Sequence, residues 1–421
     1  MNAPRPASAA LPPSFAFDAP SRRLRLDPRD PAFVQDPYAA YRALQEQARS
    51  VYWEHYGHWC LTRHDDVAAL LRDRRFGRQI LHVMSRAELG WPELPAHLAP
   101  FAEYERHSLL ELEPPAHTRM RMLVNRPFLL RVTEALRPHI AAIAHRCIDA
   151  FAERGRCELL RDFATPLPVA VICELLGMPL ERSAELLAWS HDIVAMYQAR
   201  RDAEVERRAV HAVEAFSAHV RGLLAARRAA PAGDLLTALL ESEVAGDTLS
   251  EDELVSTAML FLIAGHEATV HGIGNGTKAL LESGVAAAAF ADAESCARTA
   301  EEVLRFDTPL HLFTRYALEP CEVAGVPFAR GERVGLLLGA ANRDAARFER
   351  AHEFDPARSP NPHVSFGGGI HFCVGAPLAR LELQVALPVL FERLPHLRFA
   401  APPRYRDTYH FRGLEALELA W

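Results

Sequence analysis

The chain has 421 residues, 49% of them apolar and 24% charged, which is the composition of an ordinary globular protein. Its formal net charge of −7 gives no general attraction to nucleic acid or to an anionic membrane. No apolar run approaches the ~20 residues of a membrane span, and the N-terminal region lacks the apolar core of a signal peptide. Seven cysteines without metal-type spacing favour a reducing compartment. We therefore expect a cytoplasmic protein with no membrane anchor and no nucleic-acid partner.

The N-terminal region is predicted to begin with a tail. Residues 1–30 are rich in Pro, Ala and Arg, which predicts a flexible segment. Between residues 36 and 45 the apolar side chains, Tyr38 and Leu44 among them, recur at helical spacing. Residues 59–62 alternate like a short strand.

The middle of the chain is predicted to be mainly helical. Helical periodicity dominates from residue 133 to residue 230. The preceding stretch, residues 81–112, has poor periodicity and several Pro, Trp and Phe residues. A long loop of this kind is often functional, but a simple surface excursion agrees equally well with the sequence.

A long apolar helix is predicted over residues 254–281. Ser250 and Glu253 have the spacing of a capping box at its start. Gly265 lies midway and costs ~1 kcal/mol relative to alanine, so we expect that close approach of a neighbouring segment or a widened helical turn is needed there. At 1.5 Å per residue, the helix is long enough to cross a domain of this size.

Two other motifs are excluded within this helix. His266 and Glu267 begin a zinc-protease pattern, but residue 270 is valine where the second histidine is needed. The glycines before Lys278 have the composition of a phosphate-binding loop without its Gly-Lys-Ser/Thr order. Lys278 is also the only lysine, and the bias toward arginine and alanine indicates a GC-rich, bacterial genome.

Downstream, Glu302 and Arg305 are three residues apart on a predicted helix, so their charges can pair. By itself this is an ordinary ion pair. Two β-rich stretches follow, at residues 315–326 and 332–338.

The most informative segment is a glycine-rich run that ends in Cys373, directly before an amphipathic helix. The dipole of that helix would favour an ionised sulfur at its N-terminus. Gly369 permits a tight turn before the cysteine, and Gly375 removes a side chain beside it. A buried, inert cysteine in a glycine turn is the simpler alternative.

The run Phe366-x-x-Gly369-x-His371-x-Cys373-x-Gly375 resembles the heme-ligand loop of the cytochrome P450 superfamily. In that family the cysteine thiolate is the proximal ligand of the heme iron. The resemblance extends from about residue 30 to the C-terminus. It implies a mainly α fold with a smaller β-rich lobe, in which heme b lies between the long central helix and the cysteine-loop helix. Residues 31–421 would form one heme-thiolate monooxygenase domain, with residues 81–112 as a cap over the distal pocket.

The resemblance also implies roles for individual residues. Cys373 is the expected metal ligand, and the four expected propionate ligands are His117, Arg121, Arg315 and His371. The complete set of expected cofactor contacts is His117, Arg121, Ala264, Gly265, Arg315, Phe366, Gly369, His371, Cys373 and Gly375. Glu302 and Arg305 match the scaffold pair of the family. An arginine usually completes this pair where the chain has Glu353, so Arg350, His352 or Arg358 is expected to replace it.

The expected catalytic group, Glu267, Ala268 and Thr269, departs from the family pattern of an acid followed by an alcohol. The acid is present as Glu267, but Ala268 occupies the alcohol position and the hydroxyl follows at Thr269. One residue along a helix is a rotation of about 100°, so Thr269 need not face the same ligand. We slightly prefer a Thr269 hydroxyl bonded to a carbonyl of its own helix. Ordered water or a substrate hydroxyl would then replace the relay.

The implied reaction is insertion of one oxygen atom from O₂ into an apolar small molecule of bacterial specialised metabolism. Electrons would come from a ferredoxin or flavodoxin with its reductase, because the chain contains no flavin or iron–sulfur motif. The expected substrate pocket is lined by Leu260, Ile263, Ala264, His311, Leu312 and Phe411. His311 either hydrogen-bonds a substrate oxygen or is satisfied by nearby backbone, and the sequence does not distinguish these.

Two alternative functions remain open. Ala268 is compatible with a peroxide-using or non-hydroxylating heme enzyme that dehydrogenates or couples bonds. A heme-based sensor without turnover is the third possibility, but it predicts no distal acid and an appended partner-binding segment. Neither expectation is met, which argues against that sensor.

Overall fold

The computed structural model describes residues 10–125, 133–197 and 201–421. Their helices, in chain order, are α1 Pro31–Gln35, α2 Tyr38–Gln47, α3 His64–Leu70, α4 Ala99–Arg106, α5 Ala116–Asn125, α6 Arg137–Asp149, α7 Pro166–Leu176, α8 Ser183–Val194, α9 Ala203–Ala229, α10 Leu235–Leu240, α11 Glu251–Ser283, α12 Ala286–Ala289, α13 Ala293–Phe306, α14 Leu338–Ala341 and α15 Ala376–Arg393. One of the short 3₁₀ turns, Gly369–His371, lies shortly before Cys373.

The strands are short, and they are β1 Ala16–Asp18, β2 Arg23–Arg25, β3 Ser50–Trp53, β4 His58–Leu61, β5 Phe76–Gly77, β6 Arg156–Glu158, β7 Glu243–Val244, β8 Asp247–Thr248, β9 Leu312–Ala317, β10 Cys321–Val323, β11 Val326–Phe328, β12 Arg333–Leu337, β13 Arg398–Phe399, β14 Arg404–Tyr405, β15 Leu414–Ala416 and β16 Glu418–Ala420. Helix therefore dominates the described chain, as the sequence predicts.

The chain divides into two compact units. Unit 1 comprises Met1–Ile80, Gly274–Phe372 and Phe399–Glu418, and unit 2 comprises Leu81–Ile273, Cys373–Arg398 and Leu419–Trp421.

Unit 1 is built on a mixed seven-stranded sheet with the order β1-β2-β3-β4-β12-β9-β5. β12 is central, parallel to β4 and antiparallel to β9. Gly335 of β12 faces Cys60 so closely that a Cβ would lie 2.6 Å from its sulfur. Two buried clusters surround the sheet, one with the side chains of α1 and α2 and the other with those of α3.

The predicted flexible tail is wrong for residues 16–25. These residues form β1 and β2, which pair with each other, and β2 also pairs with β3. Leu24 and Leu26 are buried, and the indole N–H of Trp53 donates to the Leu26 carbonyl oxygen at 2.8 Å. Apolar side chains spaced two apart thus anchor a segment whose overall composition is polar. Residues 1–9 lie outside the described part of the chain.

Unit 2 is mainly helical and contains α11 as far as Ile273. α6 packs against both α7 and α15, and α9 packs against α8 and α4. The capping box of α11 is confirmed, because the Ser250 backbone N–H donates to Glu253 at 2.8 Å and the Glu253 N–H donates to the Ser250 hydroxyl at 3.3 Å. The prediction that no apolar run approaches the length of a membrane span is wrong: within the described residues, α11 is long and apolar enough to cross a membrane, although most of that apolar stretch is buried inside the protein.

The poorly periodic stretch at residues 81–112 belongs to unit 2. Residues 81–95 are largely exposed turns, and α4 then begins at Ala99. A role for this stretch as a cap over the distal pocket stays a prediction.

Candidate heme and oxygen site

The turn before the cysteine, in unit 1, depends on glycine. Gly367 and Gly369 have φ angles of +70° and +65°. A Cβ on Gly369 would also clash with the carbonyl oxygen of Leu71. Only glycine adopts this turn without strain, so the predicted role of Gly369 in the tight turn is confirmed. Phe366 packs its ring against Phe372, with centroids 6.2 Å apart.

Cys373 lies at the start of α15 in unit 2, where Gly375 is the N-cap. Its side chain is solvent-accessible, while the protein around it raises the pKa of the thiol by desolvation. The backbone N–H groups of Gly375 and Ala376 and the charge of Arg121 oppose that rise in pKa. A sulfur with two backbone donors and a nearby cation is suited to hold a thiolate for a metal.

The space beside Gly375 is open near the sulfur. The nearest neighbour of a Cβ added to Gly375 would be the Cys373 sulfur, at 3.9 Å. The glycine is therefore not required by packing between protein atoms.

The centre of α11 has one accessible face. Ala264 is exposed, and Leu260 and Ala268 are half-buried, although Phe261 to Ile263 are buried. Residues four apart share a helix face, so these three form one open apolar strip. Glu267 is half-buried on the adjoining turn. An apolar strip of this kind is the surface that a porphyrin face requires.

Gly265 lies on another side of α11, where α7 approaches. A Cβ on Gly265 would lie 3.0 Å from Ile172 of α7, and the helix continues through this residue without a break. Close packing of α7 therefore explains why glycine lies in the middle of α11. This is the close approach of a neighbouring segment that the sequence led us to expect.

The hydroxyl of Thr269 does not bond a carbonyl of its own helix, so the preferred interpretation of Thr269 is wrong. It lies 3.4 Å from Oε2 of Glu382 on α15, and both side chains are buried. Burial raises the pKa of the Glu382 carboxyl to about 8, and the hydrogen bond from Thr269 opposes that rise. A carboxyl with this pKa carries a proton at neutral pH.

Sequence reasoning missed Glu382. The available signal was its position: an acid between Leu381 and Leu383, in the apolar run of the helix that follows the cysteine. A carboxyl in such a run is buried, and burial disfavours its charged form.

His266 is not a metal ligand of the protease type. Its Nδ1 lies 2.8 Å from the Leu262 carbonyl oxygen, one turn earlier in α11. Burial lowers the pKa of His266 to about 4, so the ring is neutral. The described residues contain no group of three or more His, Cys, Asp or Glu side chains that could hold a metal ion.

The predicted propionate ligands fall in both units. In unit 2, His117 and Arg121 lie four residues apart on α5, with His117 buried and Arg121 half-buried. Arg119 of the same helix pairs with Asp247 and Glu253 at 2.6 Å. By contrast, none of the described carboxylates pairs with Arg121, so its guanidinium fits an anionic ligand that the protein does not supply.

In unit 1, Arg315 is buried on β9 and donates to the Thr314 carbonyl oxygen at 2.8 Å. His371 ends the 3₁₀ turn before the cysteine and is half-buried. The donor set across the chain is therefore a thiol, two arginines and two histidines, which is the chemistry that an iron porphyrin with two carboxylates calls for.

The scaffold pair of unit 1 is fully buried. Arg305 binds Glu302 through two hydrogen bonds of 2.7 Å, and both side chains are 0% exposed. Arg358 donates to the same carboxylate at 3.1 Å and therefore takes the place of the expected third cation. Glu353 contributes only its carbonyl oxygen, which accepts from Arg305 at 3.0 Å. Of the three predicted substitutes, Arg358 is the one that closes the network.

The predicted pocket residues also divide between the units. Ile263 is buried in α11, whereas Leu260 and Ala264 lie on its accessible strip. In unit 1, Leu312 belongs to the core cluster, and Phe411 forms a β-bridge with Leu310.

His311, in the same region of unit 1, is 1% exposed. Its Nδ1 lies 3.0 Å from the Tyr41 hydroxyl, so a side chain rather than the expected backbone satisfies this nitrogen. Contact between His311 and a substrate stays a prediction.

Comparison with known proteins identifies close relatives. A family model described as "Cytochrome P450" matches residues 296–401. Cytochrome P450 107B1 of Saccharopolyspora erythraea is 40% identical over 403 residues, covering 92% of this chain and 96% of that relative. The 6-deoxyerythronolide B hydroxylase of the same organism is 36% identical over 393 residues, covering 92% and 96%. The structure of P450BioI in complex with an acyl carrier protein ligated to hexadec-9Z-enoic acid has a TM-score of 0.85 at 32% identity, covering 92% and 99%.

Proposed function

The chain belongs to the cytochrome P450 family of bacterial heme b monooxygenases, and we propose that Cys373 is its axial iron ligand. The observation that carries this assignment is the accessible thiol just before the first turn of α15, with backbone N–H groups of Gly375 and Ala376 beside it. When bound, the heme supplies the redox-active iron at which O₂ is reduced, with the thiolate pushing electron density toward the O–O bond.

The cationic side chains of α5, β9 and the cysteine turn would hold the heme propionates. These are His117, Arg121, Arg315 and His371. Arg121 is the best supported, because its half-buried guanidinium has no carboxylate partner among the described residues, while Arg119 two positions away has two. A charge-assisted bond to a propionate would satisfy it.

Proton delivery is assigned to Glu267 and to the pair of Thr269 with Glu382. Ala268 has a methyl group where the family has an alcohol, so it cannot donate. Glu382 holds a proton near neutral pH, and its contact with Thr269 places that proton one residue from Ala268. Thr269 would pass its hydroxyl proton to a water as it accepts the Glu382 proton at Oγ1, which leaves Glu382 ionised until solvent reprotonates it.

The substrate is proposed to be an apolar small molecule of specialised metabolism. The accessible strip of Leu260, Ala264 and Ala268 offers only apolar contacts. A relative is named for hydroxylation of 6-deoxyerythronolide B and a structural neighbour holds a fatty acyl chain on a carrier protein, so macrolactones and long-chain acyl groups are the first classes to screen. Electrons would come from a separate ferredoxin or flavodoxin and its reductase, one at a time.

Peroxide-driven oxidation is the second candidate function, favoured by Ala268. One experiment distinguishes O₂-dependent monooxygenation from peroxide-driven oxidation. Product is measured with O₂ and a ferredoxin–reductase pair, and then with hydrogen peroxide alone. The monooxygenase proposal expects turnover in the first arm that is several times faster than in the second. Product in the peroxide arm alone would overturn it.

A further inference from the structure

Unit 1 contains an aromatic cluster that the proposed oxygenase reaction does not use. Its members are Tyr38, Tyr41, Trp53, Tyr56, His311 and Tyr409. Tyr41, Trp53 and His311 are at most 1% exposed. Ring centroids of neighbouring members lie 4.9–6.2 Å apart. The cluster is therefore a continuous path of oxidisable rings.

At the buried end of this path, one phenol is hydrogen-bonded on both sides. The Tyr41 oxygen lies 3.0 Å from Nδ1 of His311 and 2.8 Å from the Tyr409 hydroxyl. Burial lowers the pKa of His311 to about 3, so its imidazole is neutral and its Nδ1 can accept the hydrogen bond of the Tyr41 hydroxyl. Both contacts are satisfied when Tyr409 donates to Tyr41 and Tyr41 donates to His311.

From Tyr41 the path leads toward solvent. Tyr409 stacks on Tyr56 with centroids 6.2 Å apart, and Trp53 lies 5.4 Å from Tyr409 and 4.9 Å from Tyr56. Tyr56 is partly exposed, and the exposed ring of His55 lies 5.3 Å from it. The path thus has a buried end at Tyr41 and an accessible end at Tyr56.

The chain also connects the buried end to the proposed heme site within unit 1. His311 directly precedes Leu312, and Arg315 follows four residues after His311 along β9. At ~3.3 Å per residue, a strand spans roughly 13 Å over that separation. Simple packing does not explain this arrangement, because phenylalanine would fill the same space without desolvating a hydroxyl.

We propose that Tyr41 is a redox-active tyrosine whose proton acceptor is His311, and that Tyr409 and Tyr56 carry its oxidation to the protein surface. Tyr41 loses one electron to the oxidant and its hydroxyl proton to Nδ1 of His311, leaving a neutral phenoxyl radical and an imidazolium. The oxidant is hydrogen peroxide, which the bound heme would reduce to two waters with two such electrons and two protons from solvent. Tyr409 then gives Tyr41 an electron and, through their hydrogen bond, its hydroxyl proton. When Tyr56 passes an electron to Tyr409, the proton on His311 returns to Tyr41 and the Tyr41 proton returns to Tyr409. Tyr56 releases its own proton to solvent, and a soluble reductant such as ascorbate or a thiol restores its electron, with a proton from solvent.

This path would protect the enzyme when peroxide forms without product. This inference rests on the proposed function only in taking its oxidant from the bound heme and peroxide. A photo-oxidant in solution, such as flash-quenched tris(bipyridine)ruthenium, therefore tests the tyrosines independently of the heme ligand.

The test is freeze-quench electron paramagnetic resonance of the substrate-free, heme-loaded enzyme mixed with hydrogen peroxide. We expect a tyrosyl signal that narrows when the protein contains ring-deuterated tyrosine. Tyr41→Phe should reduce this signal severalfold and accelerate heme bleaching by peroxide severalfold. The matched control is Tyr316→Phe, a partly buried tyrosine of β9 outside the cluster, and it should leave both readouts unchanged. A tyrosyl signal in Tyr41→Phe as strong as that of the wild type would overturn the proposal. So would a loss of this signal in Tyr316→Phe as large as the loss in Tyr41→Phe.

Tyr409→Phe provides a second test if Tyr41→Phe fails to fold. It leaves the bond between Tyr41 and His311 and removes the next ring that can be oxidised. The tyrosyl radical should then persist severalfold longer than in the wild type, with either oxidant. An unchanged lifetime would contradict the path. Loss of the signal with peroxide but not with the photo-oxidant would instead locate the failure in the heme assignment and leave the tyrosine path supported.

Discussion

The hydroxyl of Thr269 and Oε2 of Glu382 lie 3.4 Å apart, in a buried contact between α11 and α15. The contact joins the residue after Ala268 to the helix that follows Cys373. It therefore places a protonated carboxyl between the two segments that the family uses for oxygen and for iron.

Glu382 should make the protein less stable as the pH rises. Its pKa is raised from the ordinary 4.5 to about 8, so the folded state binds this proton more tightly than the unfolded state. The contribution of this carboxyl to the free energy of unfolding is fully present below about pH 4.5 and is lost as the pH rises through about 8. Its size is about 1.4 kcal/mol for each unit by which the pKa is raised. Glu382→Gln should flatten this dependence, measured as urea unfolding free energies between pH 5 and pH 9. The matched control, Glu392→Gln on the exposed face of α15, should keep the wild-type slope. A wild-type slope in Glu382→Gln would show that the carboxyl is not protonated in the folded protein.

Proton delivery is predicted to depend on Thr269 because Ala268 cannot donate. Thr269→Val should lower the fraction of consumed electrons that appears in product by severalfold and raise peroxide release. Ala268→Thr should change the same ratio by adding a donor on the accessible strip. Both are measured as product and peroxide formed per NAD(P)H.

The control for this experiment is Thr257→Val, a buried threonine three turns earlier in α11. It should leave the ratio unchanged. Unchanged ratios in both Thr269→Val and Ala268→Thr, across several substrates, would count against a route through Thr269.

Arg358 should be the cation that completes the buried scaffold network. Arg358→Ala removes its hydrogen bond to Glu302, and a bond to a charged group contributes about 1.5–3 kcal/mol. We expect a loss of that size in unfolding free energy, together with weaker heme retention. Arg350→Ala removes an exposed cation paired with Glu353 and Asp355, and should cost about 1 kcal/mol or less. Equal losses in the two variants would show that Arg358 does not complete the network.

His311→Leu separates a structural role from a substrate contact. It leaves the Tyr41 hydroxyl bonded only to Tyr409, so unfolding free energy should fall by about 0.5–1.5 kcal/mol. If His311 also binds a substrate oxygen, an oxygen-bearing substrate should lose a similar amount of binding free energy while purely apolar ligands lose none. Spectral titration of both ligand classes measures this. Equal losses of binding free energy for both ligand classes would show that His311 only shapes the pocket wall.

Much of the fold was predictable because its signals are local. The capping box at Ser250 and the apolar run after it predicted α11 nearly to its ends, and the glycines before Cys373 predicted the turn. The strands at residues 16–25 were missed because only Leu24 and Leu26 signal burial there, within a polar segment whose partners are distant in sequence.

The pair of Glu302 with Arg305 was predictable because two charged residue types at helical spacing carry it, whereas the role of Cys373 stays a prediction. Contacts between distant segments were not predictable. Glu382 reaches Thr269 from more than 100 residues away, and Tyr41 reaches His311 over an even longer separation. The choice of Arg358 over Arg350 likewise depends on how the loop after α14 folds back onto Glu302.

The carbon monoxide spectrum of the reduced protein tests the central assignment most directly. Wild-type protein should show the red-shifted Soret band of a thiolate-ligated heme. The isosteric Cys373→Ser variant should lose that band, while Cys321→Ser, a half-buried cysteine of β10, should retain it. A Cys373→Ser protein that keeps the red-shifted band would contradict the account.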